Sequence, residues 1–484
     1  MRKKPLRYGR TPAVPIGILV LGVLVGCTPD DYVAPWPQHA VEPGGYDETP
    51  AAGPLRVRAQ AHDAWHPAWH QPYYGGRAAV FFTDTTYSTV QEYRGWGDST
   101  FFTGIYLASQ AMRYHVTGDP QARENAVRMA SALSGHLHVT GTPGYIARYR
   151  APKTSLPYQG DHWCDAQERC FRVEEGPYAG DFWWGSTSRD QYIGWMFGMT
   201  MAYDLVDDEP MREIIRSDML AMVGTLIEND WVIMAQDGNP TGTAPIVLPL
   251  TQLSFCIQAY HVTGDQGILA ALKKRLLNVQ RVVHEVSAPF NVFNRYDQYY
   301  GNNLAHLQMF QLLRLGRFYF SEDDYPWYVN HFNDAIHTFT RLSHNAWFNA
   351  VFMSQGAWIP EGEDDPYLVQ FLGDLADFPD PPNHRTFVPA RDPATYVLDP
   401  LSQELVALAE ALPFLEELLG FRFQVQALEA FPVPLQCPDH FLWERSPFRI
   451  HACGADEPRD VGPGADYLIA YWTAAYYRII GKDR

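Results

Sequence analysis

Positive charge is scarce in this sequence: 37 lysines and arginines stand against 55 acidic residues, for a formal net charge of −18. A surface this acidic repels a phosphate backbone, so nucleic acid is excluded as an electrostatic partner. Polyanionic glycans are awkward partners too, unless a local arginine cluster attracts them. Cysteine is sparse as well, six in 484 residues, and no CxxC spacing occurs, so a thiolate metal site has no framework. Strand patterning is weak, with only Ala78 to Thr89 rich in β-formers. The apolar run Ile16 to Val25 is too short for a comfortable membrane span. No metal and no cofactor are expected.

What is present begins at the N-terminus. Arg2, Lys3, Lys4, Arg7 and Arg10 precede that short apolar run, the layout of a cleavable export signal. Its end, Leu24-Val25-Gly26-Cys27, resembles the lipobox of bacterial lipoproteins. An ordinary secretory signal with a chance cysteine is the alternative. The resemblance implies cleavage of residues 1–26, lipid on Cys27, and a place in the cell envelope; Thr28 after the cysteine favours the outer membrane. Residues 1–26 carry five cations and no anion, so their removal takes the net charge from −18 to −23. Residues 27–55, with six prolines and Gly44-Gly45, read as a tether. In an oxidising compartment the remaining cysteines sort into two local bridges, Cys164–Cys170 and Cys437–Cys453, with Cys256 a buried thiol in an apolar helix.

Residues 56–94 read as an irregular, partly β lead-in, and helical patterning dominates from 95 to 484. Phe101, Ile105, Ala108, Met112 and His115 mark one helix face, and Phe102, Tyr106 and Leu107 make the opposite face apolar too. Gly118-Asp119-Pro120 supplies a C′ glycine, an N-cap and an N1 proline for a second, amphipathic helix. Tyr114-His115-Val116-Thr117-Gly118-Asp119 recurs unchanged as Tyr260 to Asp265. Further apolar helices read as Tyr192–Asp208, Asn302–Gly316, Leu401–Gly420 and Asp466–Gly481. Repeated helix–turn–helix units stack to bury a shared core. Six of them resemble the (α/α)6 toroid of the six-hairpin glycosidase-like proteins, over roughly residues 95–484; a straight α-solenoid is the alternative. The Trp-Gly-Arg-Gly type signature of unsaturated glucuronyl hydrolases is missing. The stretches Gly97–Gly104 and Ser188–Tyr192 are similar to those of uncharacterised bacterial toroid proteins.

The toroid resemblance implies a cleft built from residues just before the inner helices. Asp98 stands at one such start, where simple capping is the competing role. Arg189 and Asp190 stand at another, where Ser186, Thr187 and Ser188 suffice for capping; a structural ion pair is the competing role. The run Asn294–Asn303 holds Arg295, Asp297, Tyr299, Tyr300, Asn302 and Asn303, with His306 one turn further, more polar groups than a cap requires. His344 and Asn345 lie beside Trp347, where a satisfied buried histidine is the competing role; Glu361–Asp365 reads as a solvated acidic loop, with calcium held by its hard oxygens the alternative; and Glu444 and Arg445, around the last hairpin, are placed to reach the cleft.

Asp98, Asp190 and Asp297 are the expected carboxyl pair or trio of a glycoside hydrolase, which needs one protonated and one ionised group. Arg189, Arg295, Tyr299, Tyr300, Asn302, Asn303, His344 and Asn345 are the expected glycan contacts. Two other readings stay open. One is a polysaccharide lyase with a Tyr or His base and Asn or Arg neutralising the carboxylate. The other is a surface lipoprotein that binds glycan or protein without turnover.

Overall fold

The computed structural model describes residues 53–152, 169–241, 249–276, 284, 294–296, 298–362, 364–382, 388–412, 422–437, 441–453 and 458–481, all within one compact unit, Ala34–Arg484. Cys27, Cys164, Asp297 and Glu363 lie outside the described residues.

The helices in chain order are α1 (Pro54–Trp69), α2 (Ser99–Thr117), α3 (Pro120–His138), α4 (Arg189–Leu205), α5 (Glu209–Glu228), α6 (Pro249–Thr263), α7 (Gln266–Arg275), α8 (Tyr300–Tyr319), α9 (Asp324–Ala335), α10 (Ala346–Gln355), α11 (Pro366–Ala376), α12 (Pro400–Ala411) and α13 (Asp466–Tyr476). Helix α2 packs on α4, α4 on α6, α6 on α8, α8 on α10, α10 on α13, and α13 back on α2. Six inner helices therefore close a ring. The outer helices α3, α5, α7, α9 and α11 each return along the inner helix before them, and α1 covers α13. The fold is all-α, an (α/α)6 toroid.

The inner helices are apolar nearly all round because they are buried on both sides. Every residue of α2 from Ser99 to Arg113 is buried, and so is every residue of α4 from Gln191 to Leu205. The recurring hexapeptide is the inner-to-outer turn. Gly118 and Gly264 adopt φ +68° and +66°, the left-handed conformation that ends a helix, and Asp119 and Asp265 cap the next by accepting from Gln121 N at 2.8 Å and Ile268 N at 2.9 Å.

Two expectations are corrected here. The stretch 56–94 is not an irregular lead-in: it contains the ring's sixth outer helix α1, as well as strands β1 (Ala79–Phe82) and β2 (Val90–Arg94). The fifth inner helix is α10, not Leu401–Gly420. Helix α12 buries only Ser402 and Ala409, whereas eight of the ten residues of α10 are buried.

Among the described residues, two small sheets complete the fold. Strand β1 pairs antiparallel with β2 and with β6 (Asp460–Val461), tying the start of the domain to its end. Strands β3 (Tyr149–Pro152), β4 (Cys170–Arg172) and β5 (Asp181–Trp184) form the second, with β5 central. Cys437 and Cys453 are bridged, Cys170 is disulfide-bonded, and Cys256 is a buried thiol. Among the described residues no helix is long and apolar enough to cross a membrane.

The hairpin order fixes which face carries the site. Inner-to-outer turns are short, while the returns, such as 139–188 and 377–465, are long. All six inner helices thus start on the face where the long returns gather.

Candidate active site

Helices α2 and α4 cross with no side chain between them. A Cβ on Gly104 would lie 1.9 Å from the Gly194 carbonyl oxygen, one on Gly194 2.6 Å from Phe101 Cα, and one on Gly198 2.4 Å from the Gly104 carbonyl oxygen. Glycine at these three positions lets the backbones touch, so the two helix starts, with Asp98 and Asp190, come together. Asp98 precedes α2 but caps nothing with its side chain. Its carboxylate instead accepts from Gln191 Nε2 at 3.1 Å and from Arg148 at 3.2 Å, and it remains half-exposed. Asp190, in the first turn of α4, is pushed above the usual carboxylate range, chiefly by burial. The neighbouring Arg189 and Arg148 pull it back and the charge of Asp98 adds to the rise. The Arg189 side chain makes no hydrogen bond or ion pair with any described residue, and its charge acts on Asp190 by lowering that pKa.

A third carboxyl joins them from far along the chain. The 3-10 turn Leu442–Glu444 packs on α8 and α10. It is held from both sides. The Asp466 carboxylate accepts from Leu442 N, the Trp443 indole donates to the Asp466 carbonyl at 2.7 Å, and Asn345 Nδ2 donates to the Trp443 carbonyl at 3.2 Å. Trp443 is wholly buried, which leaves Glu444 at the wall of a cavity of about 200 Å³. Burial pushes the Glu444 carboxyl well above its ordinary range, and the charges of Asp98 and then Asp190 push it further. Asn303 Nδ2, 3.1 Å away, is its one opposing hydrogen bond. The group favours its protonated form.

The polar run before α8 divides. Asn303 contacts Glu444, and Asn302 Nδ2 is buried with no hydrogen-bond partner among the described residues. Tyr299 and Tyr300 line the cavity. The Tyr299 hydroxyl is pushed up to about 12 by burial. Arg295 is not a free glycan clamp: it pairs with Asp399 at 3.8 Å and lies over the Phe448 ring at 4.0 Å. His306 donates to the Asn302 carbonyl at 2.7 Å and stacks on Phe348, a structural role.

Two further expectations change. His344 does not face a sugar; its Nδ1 binds Asp374 of the outer helix α11 at 2.7 Å, which raises its pKa. Asn345 is committed as the N-cap of α10, accepting from Phe348 N at 3.0 Å, and as the anchor of Trp443. In the acidic loop, Asp365 caps α11 through Tyr367 N and Leu368 N. Among the described residues no group of three or more possible metal ligands occurs.

No family model matches this chain, and no curated protein does. Among the solved structures similar to it are these two. One is a sugar epimerase from a ruminal bacterium, 10% identical over 88% of this chain and 98% of that one, with a TM-score of 0.42. The other is the cellobiose 2-epimerase from Spirochaeta thermophila DSM 6192, 10% identical over 89% and 98%, with a TM-score of 0.38. Likeness of that degree says nothing of what this chain acts on.

Proposed function

We propose that the chain is a carbohydrate-active enzyme, a glycoside hydrolase held at the cell envelope by lipid on Cys27. The observation that carries the reading is the inequality of three adjacent carboxyls: Glu444 is driven toward its protonated form while Asp98 is ion-paired with Arg148. Groups whose surroundings push their protonation apart are the acid and base of such chemistry. Glu444 gives its proton to the glycosidic oxygen as the bond from that oxygen to the anomeric carbon breaks. The Asp98 carboxylate takes a proton from water as the water oxygen bonds to that carbon, so one water is consumed per bond cleaved. Asp190 and Arg189 tune the field between them.

Elimination is disfavoured because Tyr299, with its hydroxyl pushed up to about 12, is a poor base near neutral pH. A merely binding surface has no use for three carboxyls crowded at this cost. The test is a glycan panel scored for reducing ends. The unsubstituted chain releases them and Glu444→Gln does not, and activity is lost as pH rises through the raised Glu444 value. Products absorbing as unsaturated uronates would replace this mechanism with elimination. For the anchor, Cys27→Ser shifts the protein from the membrane to the soluble fraction; unchanged membrane retention would refute lipidation.

A further inference from the structure

Asp98 stands before a helix whose first amides it does not serve. Those amides go elsewhere: Thr100 N donates to the Arg148 carbonyl at 3.0 Å and Phe101 N to Gln191 Oε1 at 3.2 Å. The same two residues then hold the carboxylate they have relieved of capping. Gln191 Nε2 and Arg148 both donate to Oδ1 of Asp98, at 3.1 and 3.2 Å. Oδ2 meets no donor among the described residues, and 53% of the side chain stays exposed.

The hold on Oδ1 is rigid. Gln191 is wholly buried, and its amide has only one workable orientation. Nε2 also donates to the Gly97 carbonyl at 3.2 Å, so both of its hydrogens are used. Turned over, the amide would set its oxygen against two oxygens and its N–H against the Phe101 N–H. Arg148 is fixed as firmly, donating from Nε to the Ser186 carbonyl at 2.7 Å and from its guanidinium to the Gly97 carbonyl. A second aspartate shows the same arrangement completed. Asp63 of α1 takes Gln110 Nε2 at 2.8 Å and Arg113 at 3.3 Å on its Oδ1, and the Trp472 indole at 3.1 Å closes its Oδ2. Asp98 has that arrangement with the third donor left out, on the face where the inner helices start.

We propose that Gln191 is a positioning residue for the hydrolytic step: with Arg148 it holds Asp98 by Oδ1, so that Oδ2 is the oxygen that receives the proton of the attacking water. The inference rests on the hydrolase reading for the reaction, though not for the hold on Oδ1. As the water oxygen bonds to the anomeric carbon, its proton passes to Oδ2. Glu444 gives its own proton to the departing glycosidic oxygen, so the protein gains one proton and loses one. The division of labour follows from lone pairs. Each carboxylate oxygen accepts about two hydrogen bonds, so Oδ1 is filled by its two donors and Oδ2 is open to the cleft. A carboxylate free to rotate would meet the water in only some of its rotamers. Pinned by donors from the start of α4 and from the residue before β3, it stays aimed without reorganisation.

Two substitutions at Asp98 test the one-sided hold on the full chain, by melting temperature and without any substrate. Asp98→Asn keeps a carbonyl oxygen for both donors and turns its NH2 outward, so it melts with the unsubstituted chain. Asp98→Leu leaves Gln191 and Arg148 without that acceptor and melts lower. If the two variants fall alike, the protein needs both oxygens and the assignment of Oδ2 is overturned. Positioning is read from kinetics, on the panel glycan from which the unsubstituted chain releases most reducing ends. Gln191→Glu keeps an oxygen for Phe101 N but replaces the donor to Asp98 with a second oxygen. It lowers kcat by about 10–10²-fold and leaves KM unchanged, a split that general loosening of the fold does not produce. Arg148→Lys keeps the charge but cannot reach Ser186 and Asp98 together, and it shifts kcat the same way, so one misfolded variant does not decide the matter. Unchanged kcat in both, with Asp98→Asn inactive, overturns the positioning role and leaves the hydrolase standing. An Asp98→Asn chain that keeps its kcat removes the hydrolase mechanism itself, and the positioning role with it.

Discussion

Glu444 and Asp204 are acidic residues at opposite ends of one ring, and their surroundings treat them in opposite ways. Asp204, near the end of α4, meets His261 of α6 at 2.7 Å and Arg314 of α8 at 2.6 Å, all three side chains fully enclosed. Burial alone would raise its pKa, but His261 and Arg314 outweigh that and bring it to about 2. Glu444, on the face where the inner helices start, has one amide donor against burial and the charges of Asp98, Asp190 and Asp466, and goes the other way. A buried charge with full partners ties helices together. A buried acid denied partners keeps its proton and is available to react.

Breaking each end in turn tests this contrast. The largest effect is on catalysis: Glu444→Gln lowers kcat by about 10²–10⁴-fold. Its stability behaves differently. A carboxyl raised in the folded state takes up a proton that the unfolded chain releases at neutral pH, so the unsubstituted chain gains stability as pH falls toward the ordinary glutamate value. Glu444→Gln loses that slope and is at least as stable at pH 7, as urea unfolding across a pH series will show. If the variant unfolds as it loses activity, Glu444 is structural.

Asp204→Ala acts on stability instead, leaving the buried Arg314 cation unmatched at about 3–5 kcal/mol. The pH sign is opposite to that of Glu444. The depressed pKa contributes stability above the ordinary aspartate value, and on the order of 2 kcal/mol of it disappears as pH falls from about 4 through about 2. Asp204→Asn flattens that limb. An Asp204 variant with unchanged unfolding midpoints would end the comparison.

A smaller effect comes from the α2–α4 crossing. Gly194→Ala puts a methyl 2.6 Å from Phe101 Cα, which costs about 1–3 kcal/mol and moves Asp98 relative to Asp190, so kcat/KM falls by up to about 10²-fold. Gly118→Ala is the control: it meets nothing within 4 Å and strains only its φ of +68°, about 1 kcal/mol, with activity kept. Equal kinetics in the two variants would mean the close crossing does not set the site.

The smallest effect separates capping from positioning. Asn345→Ala loses about 1 kcal/mol of helix cap and lets Trp443, hence Glu444, shift. Asn345→Asp restores the cap but cannot donate to the Trp443 carbonyl, so it recovers melting temperature and not kcat. Recovery of both would make Asn345 a cap and nothing more.

The turns, caps and double-sided inner helices were legible in the sequence because they are local. Gly118-Asp119 and Gly264-Asp265 carry their own conformation and their own hydrogen bonds. Asp98 and Asp190 were legible too, as polar residues surplus to capping at helix starts. Helix α10 was hidden by its brevity: ten residues, apolar on most sides, show no period, and the polar lead Arg341–Asn345 reads as a site. Helix α1 was hidden because its buried face is polar, with Arg56, His62, Asp63 and His66 inward.

By itself, then, the sequence determined the hairpins and which of their starts hold carboxyls, since helix periodicity and capping act over a few residues. Only the tertiary structure decided which carboxyl is pushed furthest above its ordinary range. Asn303 and Glu444 are 141 positions apart, and nothing near Glu444 in the chain distinguishes it from a surface glutamate. Its raised pKa comes from burial and from repulsion by Asp98, Asp190 and Asp466, a sum that exists only once the ring has closed.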